Sequence, residues 1–192
     1  MAATEAPLFI TAEQADHEQI NRLLIYLRDW EYGSGDRFSL ITTQDPALAT
    51  TTPITSPPIN PAQISSNPWL GSSLPDLESF VLTTFPPGRH LFIVLDDEGL
   101  RTQTCIIVAP SFDPETGDPI PNEFVKIRVP WDETYIVWTN LDLQNMDFED
   151  FVQGDRLDGG WHVYASQTGR DPNVRESWME ERDAMLEREG LL

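Results

Sequence analysis

Four apolar runs crowd the chain between Arg89 and Phe151: His90–Leu95, Thr104–Ala109, Phe124–Val129 and Tyr135–Leu141. Short apolar runs bounded by turn residues read as buried strands, so this block predicts the core of a folded domain. The turn Asp96-Asp97-Glu98-Gly99 is expected to join the first two strands, and Asp132-Glu133 the last two. Pro110–Asn122 reads as a longer polar loop. The block closes on an acidic-aromatic knot, Asn145–Phe151, in which Phe148 and Phe151 fall on one face of a helical turn starting at Asp147. Gly159-Gly160 then precedes a last strand, Trp161–Ala165.

Upstream, Leu8-Phe9-Ile10 reads as a strand running into a helix. Thr11 and Gln14 have capping-box spacing, with Ile10 and Ala15 as the hydrophobic staple. Ile20, Leu23, Leu24, Leu27 and Trp30 recur at helical period, and Gly33 and Gly35 are expected to end the helix. Arg37–Thr42 reads as the second strand, and Asp76–Thr84 as a short helix stopped by Pro86-Pro87-Gly88. At the other end, Asp171 as N-cap and Pro172 at the first helical position predict a C-terminal helix over residues 171–190. Its apolar face carries Val174, Trp178, Met179, Met185 and Leu186, and packing on its own domain is the plainer reading. At 192 residues one domain, 1–192, is expected. The order of elements predicts an α/β (or α+β) fold with a single mixed sheet: a strand-helix-strand opening, an antiparallel second half and the C-terminal helix.

Residues 44–75 break the pattern with seven prolines, nine Ser or Thr and one charge, Asp45. Proline removes backbone donors and restricts φ, so a loop or insertion, mobile or packed only at the periphery, is expected. Ile54, Ile59, Ile64 and Trp69 recur every five residues. That spacing fits apolar pegs of a chain laid across the domain, or coincidence in a short stretch; coincidence is the plainer reading. Pro57-Pro58 and Pro61 match a PxxP ligand poorly.

The net charge of −20, from 32 acids against 12 bases, argues against nucleic acid and against an anionic membrane surface. From Val129 to Asp155 there are seven acids and no Lys or Arg, so a basic protein partner is the binding class best matched to that stretch. A soluble acidic surface without a dedicated partner is the plainer alternative. Cys105 stands alone in an apolar run and reads as a buried structural thiol. There is no secretory h-region, apolar run of membrane-spanning length or Asn-x-Ser/Thr sequon, and a cytoplasmic or nuclear setting is expected.

Chemistry is less legible. LFIVLDDEG, residues 91–99, resembles the strand of haloacid-dehalogenase-type phosphatases, which ends in Asp-x-Asp. That resemblance implies Asp96 as nucleophile, Glu98 as acid, Lys126 as the phosphate-neutralising lysine, and Asp155 and Asp158 as magnesium ligands. Glu98 stands where the family has a second Asp, and an acidic turn explains the same residues. Asp113–Asp118 lacks the EF-hand glycine, and His17, His90 and His162 lie apart, so no metal or cofactor is assigned. Trp131, Trp138, Trp161 and Tyr135 beside Asp132, Asp142, Asp147, Asp150 and His162 offer aromatic faces and carboxylates for a cationic group. Aromatic core beside solvated turns is the plainer alternative. No convincing catalytic set emerges, and the reading leans away from an enzyme.

The run NLDLQNMDFEDF, Asn140–Phe151, together with LFIVLD and FVKIRVP, resembles a family of small acidic domains of actinobacteria and filamentous fungi whose activity is unknown. The resemblance singles out Asn140, Asn145 and Asp147 as polar positions to test. The candidate binding residues are therefore Asp132, Asn140, Asp142, Asn145, Asp147, Asp150, Trp161 and His162. The expected function is binding of a protein partner, with a magnesium-dependent phosphatase-like hydrolase using Asp96, Glu98, Asp155 and Asp158 as the alternative.

Overall fold

A computed structural model describes residues 6–31, 33, 35–165 and 172–192, without the side chains of 172–177. The elements run β1 (Ala6–Ile10), α1 (His17–Tyr26), β2 (Phe38–Leu40), α2 (Pro46–Ala49), α3 (Pro61–Ser65), α4 (Leu74–Thr84), β3 (Phe92–Leu95), α5 (Asp97–Thr102), β4 (Thr104–Phe112), β5 (Pro119–Pro130), α6 (Trp131–Asp142), β6 (Val152–Gln153), β7 (Trp161–Tyr164) and α7 (Pro172–Arg188). The strands form one mixed seven-stranded sheet in the order β2-β1-β3-β4-β5-β7-β6, and the class is α/β. β1 pairs in parallel with both β2 and β3, and Phe9 stands opposite Val94. In the second half β3–β4, β4–β5 and β6–β7 are antiparallel, while β5–β7 is parallel.

Strand alternation sorts the core into two layers. Leu8, Ile10, Ile93, Leu95, Ile107, Ile127 and Val129 face the side covered by α1 and α6. Phe9, Phe92, Val94, Ile106, Val108 and Phe124 face the side covered by α4 and Trp69. α7 packs on α1 beyond the first layer.

Several local expectations change. Helix α1 starts later than Thr11, with Asp16 as N-cap and Gln19 completing the capping box, so Ile10 and Ala15 are not its staple. Thr11 still belongs to the carboxyl end of β1: its N–H, like that of Ala12, donates to Leu95 O. The helix stops at Tyr26, before Gly33 and Gly35. The acidic run at Asp96 is not a hairpin turn. Asp96 accepts from Gly99 N at 2.7 Å as the N-cap of α5, and Asp97 and Glu98 occupy its first turn, where a helix favours negative charge. Gly99 is required there, because a Cβ would meet Thr104 O at 2.3 Å. Residues 110–122 extend β4 and β5 into a long hairpin.

The largest correction is α6. Tyr135–Leu141 is β-branched and aromatic enough to read as a strand, yet it is helical from Trp131. Trp131, Thr134, Val137 and Trp138 are buried on one face, and Asp132 and Glu133 lie in the first turn. A crossover helix is what two parallel neighbours, β5 and β7, require.

Residues 44–75 are not peripheral. Thr55 lies along the outer edge of β2, where its N–H donates to Phe38 O at 2.8 Å and its Oγ1 accepts from Leu40 N at 2.9 Å. Ile59 and Ile64 are buried against the α1 layer and Trp69 in the α4 layer, whereas Ile54 is exposed. Three of the four five-spaced residues are therefore pegs. Asn21 Oδ1 accepts from Ile59 N at 2.8 Å, and Asn67 Nδ2 donates to Ile10 O at 2.9 Å. The segment is a strap that rounds the β2 edge and crosses the carboxyl end of β1.

The predicted C-terminal helix begins at Pro172 as expected, with Trp178 and Leu186 buried; Asp171 lies outside the described residues. Cys105 is buried, and burial pushes its thiol far up from the usual range, which keeps it un-ionised and inert.

Candidate binding surface

Two places on this sheet are open to a functional reading: the carboxyl ends of the parallel strands, and the edge beyond β7. The first is where open α/β sheets commonly bind ligands, at the point where chain order reverses between neighbouring strands. Here β1 leads to β2 on one side, and the chain returns to β3 on the other. That crevice is occupied by the chain itself. Gly71 N donates to Thr11 O at 2.8 Å, Asn67 holds Ile10 O, and Glu13 N donates to Asp97 Oδ1 at 3.0 Å.

Beside it, Arg128 forks onto Asp96 at 2.8 and 2.7 Å, and reaches Glu98 at 3.4 Å. Burial alone would push the Asp96 carboxyl up. The Arg128 hydrogen bonds and charge, together with the Gly99 N–H, outweigh burial and hold it below the usual carboxylate range. The same partnership raises Arg128 against its own desolvation. Asp96 is thus committed to a guanidinium and a helix cap, not poised as a nucleophile.

The other members of the phosphatase set lie elsewhere. Asp96 is level with Thr104 and the carboxyl end of β5, whereas Asp158 opens a 3-10 turn, Asp158–Gly160, that lies against Phe124. At about 3.3 Å per residue those levels on β5, Pro130 and Phe124, are about 20 Å apart, and three strand spacings separate β3 from β7. Asp155 lies on the same side as Asp158, beyond β6. Lys126 Nζ is engaged by Glu78 at 2.7 Å and by Gly159 O at 2.7 Å. Among the described residues no group of three or more His, Cys, Asp or Glu is placed to hold a metal ion. The structure does not bring Asp96 and Glu98 to Asp155 and Asp158.

The expected binding set divides as well. Trp131 and Trp138 are core residues, each 3% exposed, and their faces are closed to a ligand. Tyr135 spends its hydroxyl on Asp29 at 3.0 Å, and Tyr164 its own on Glu133 at 2.7 Å. Asp132 and Asp142 sit at opposite ends of α6, about 15 Å apart at helical rise. Asn140 Nδ2 donates to Ile136 O at 2.8 Å, and the Asn140 main-chain carbonyl accepts from Asn145 N at 3.0 Å. Asp150 accepts from Asp147 N at 2.9 Å within the 3-10 turn Phe148–Phe151. These residues build the turn that delivers Phe148 and Phe151 to the core.

Trp161 and His162 point to opposite faces, as neighbours on a strand must. Trp161 packs with the α4 layer, its ring 6.0 Å from the Arg128 guanidinium carbon, so its cation is internal. His162 stacks edge-on against Phe148 at 5.3 Å on the α6 side. Desolvation, helped by the Arg156 charge and opposed by Glu149, lowers its pKa from the usual value. It is therefore neutral at pH 7.

What remains exposed is a ribbon from residue 143 to 159, interrupted by Met146, Phe148, Phe151 and Val152. It carries Asp147, Glu149, Asp150, Asp155 and Asp158, with one base, Arg156, bound to Glu123. Leu143 and Leu157 are 60% and 53% exposed on it. Glu149, Leu143 and Leu157 were outside the set read from the sequence. The run of acids pointed to Glu149, but isolated leucines between polar residues carry no signal of exposure. Gly160, at φ +80°, ends the ribbon where a Cβ would meet Phe124 O at 2.3 Å.

No family model, curated protein or solved structure matches the chain. Among the described residues no helix is long and apolar enough to cross a membrane.

Proposed function

We propose that this protein is an interaction module, cytoplasmic or nuclear, that docks a basic protein surface on its acidic ribbon. The supporting observation is the exposure of residues 143–159, where five acids and two leucines face solvent beside a two-residue edge strand. Exposed carboxylates raise the association rate of a cationic partner and select it by charge, while exposed leucines supply apolar area. The strap across the carboxyl end of β1 occupies the usual small-ligand crevice, which favours binding of a macromolecule over catalysis. The likeness of Asn140–Phe151 to a family of small acidic domains belongs with the same proposal: that turn is the scaffold from which the ribbon projects.

The test compares the wild-type chain with a Glu149→Gln, Asp155→Asn, Asp158→Asn variant in affinity capture at about 0.05 and about 0.5 M salt. Screening at the higher salt shortens the reach of surface charge to a few ångströms. The expected partners carry a basic face, weaken with salt and are lost by the variant. A partner that is held equally at both salt levels and by both proteins would contradict the proposal.

A further inference from the structure

The ribbon is anionic, but the seam between α1 and α7 holds two arginines. Two arginines, one from each helix, meet on a single ring: the guanidinium carbons of Arg182 and Arg22 lie 4.4 and 5.8 Å from the Tyr26 centroid. Trp178 adds a second aromatic wall, 5.9 Å from Arg182. Arg182 is 5% exposed, and its Nε and Nη2 both go to Asp183 Oδ1, at 2.9 and 2.8 Å. Its Nη1, like Arg22 Nε, is buried without an acceptor. Arg28 and Arg128 each fork onto both oxygens of a carboxylate, Asp36 and Asp96, whereas Arg182 reaches a single oxygen of Asp183 and keeps Nη1 unspent. A buried charged donor lacking an acceptor is costly, and two of them on one ring repel each other.

We propose that this seam binds an oxyanion, a phosphate or carboxylate group, between Arg22 and Arg182, with Tyr26 and Trp178 as its aromatic walls. Guanidinium groups match the geometry of both anions, and one anion would accept from Arg182 Nη1 and Arg22 Nε, the two donors left over beside the Arg182–Asp183 pair. Because its donors come from two helices, the anion ties α7 to α1. It does not depend on the acidic ribbon, which belongs to another part of the fold.

Inorganic phosphate is the probe, titrated into the full chain at ionic strength held constant with chloride and followed by phosphorus-31 linewidth. Saturable broadening is expected, displaced by acetate at higher concentration and weakened about tenfold or more by Arg22→Gln and by Arg182→Gln. Arg22→Gln leaves the α7 side of the seam untouched, and its circular dichroism should match wild type. Absence of binding beyond chloride, or binding that survives both substitutions, would overturn the proposal.

Discussion

The two edges of the sheet are protected in different ways. An unpaired edge invites another strand, and proteins cover it, shorten it or charge it. At β2 the chain covers it: Thr55 bonds the outward-facing backbone groups of Phe38 and Leu40, and Ile59, Ile64 and Trp69 anchor the strap to both core layers. At β6 the strand is only two residues long, and the acidic ribbon flanks it on both sides in sequence. Covering uses an almost uncharged, proline-rich segment and leaves nothing free to bind. Shortness and charge leave a surface open, and its sign chooses the partner.

The contrast breaks most easily at the strap. Trp69 is 3% exposed between Phe9 and Phe80, so Trp69→Ala should cost about 3–5 kcal/mol in urea unfolding. Loss of under about 1 kcal/mol would make the strap an ornament rather than a cover. Next in size is Asp96→Ala, which removes the cap of α5 and leaves the half-buried Arg128 short of its forked partner; about 2–3 kcal/mol is expected. Since the folded Asp96 pKa is depressed, its stabilisation is present above the unfolded value near pH 4 and is lost as pH falls through the folded value. The variant should therefore show a flatter acid limb, and an unchanged limb would remove Asp96 from the account.

On the ribbon the expected stability effects are small. Glu149→Gln, Asp155→Asn and Asp158→Asn together should shift the unfolding free energy by about 0.5 kcal/mol or less, because they relieve repulsion on an exposed surface while removing no packing. A large loss would mean the acids are structural. The smallest effect concerns His162. Its lowered folded pKa means stability is complete above the unfolded value near 6.5 and declines as pH falls through the folded one. His162→Gln should flatten the stability profile just below the unfolded value near pH 6.5, read from urea midpoints. A profile identical to wild type would show that His162 contributes nothing there.

The opening of the fold was legible because β1 and α1 follow their own periods, and the helix stripe Ile20, Leu23, Leu24 survives intact in the core. The start of α1 was not. Thr11–Gln14 and Asp16–Gln19 both satisfy the capping pattern, and only pairing of Thr11 with Leu95 keeps the first of them in the sheet. α6 was misread because its side chains favour a strand locally, and the parallel pairing of β5 with β7 overrides that preference. The same acids that compose a turn at Asp96 also compose a helix start, so composition did not separate the two. The strap hid for a related reason: its pegs follow no helix or strand period, and only tertiary contact distinguishes a peg from a stray isoleucine. Of the expected binding residues, the acids near Asp147 and Asp150 lie on the exposed ribbon, while Asn140 holds its turn and Trp161 lies on the opposite sheet face.

Native-state hydrogen exchange on the unliganded chain tests the contrast between the edges most directly. The amides of Leu40 and Thr55, bonded along the β2 edge, and of Ile59, bonded to Asn21 of α1, should be protected to within about 1–2 kcal/mol of the global unfolding free energy. Those of Gly154, Asp155 and Asp158 on the ribbon should exchange orders of magnitude faster. Exchange of Thr55 and Ile59 as fast as that of Asp155 would contradict the account, because the strap would then be no cover and the two edges would be equally open.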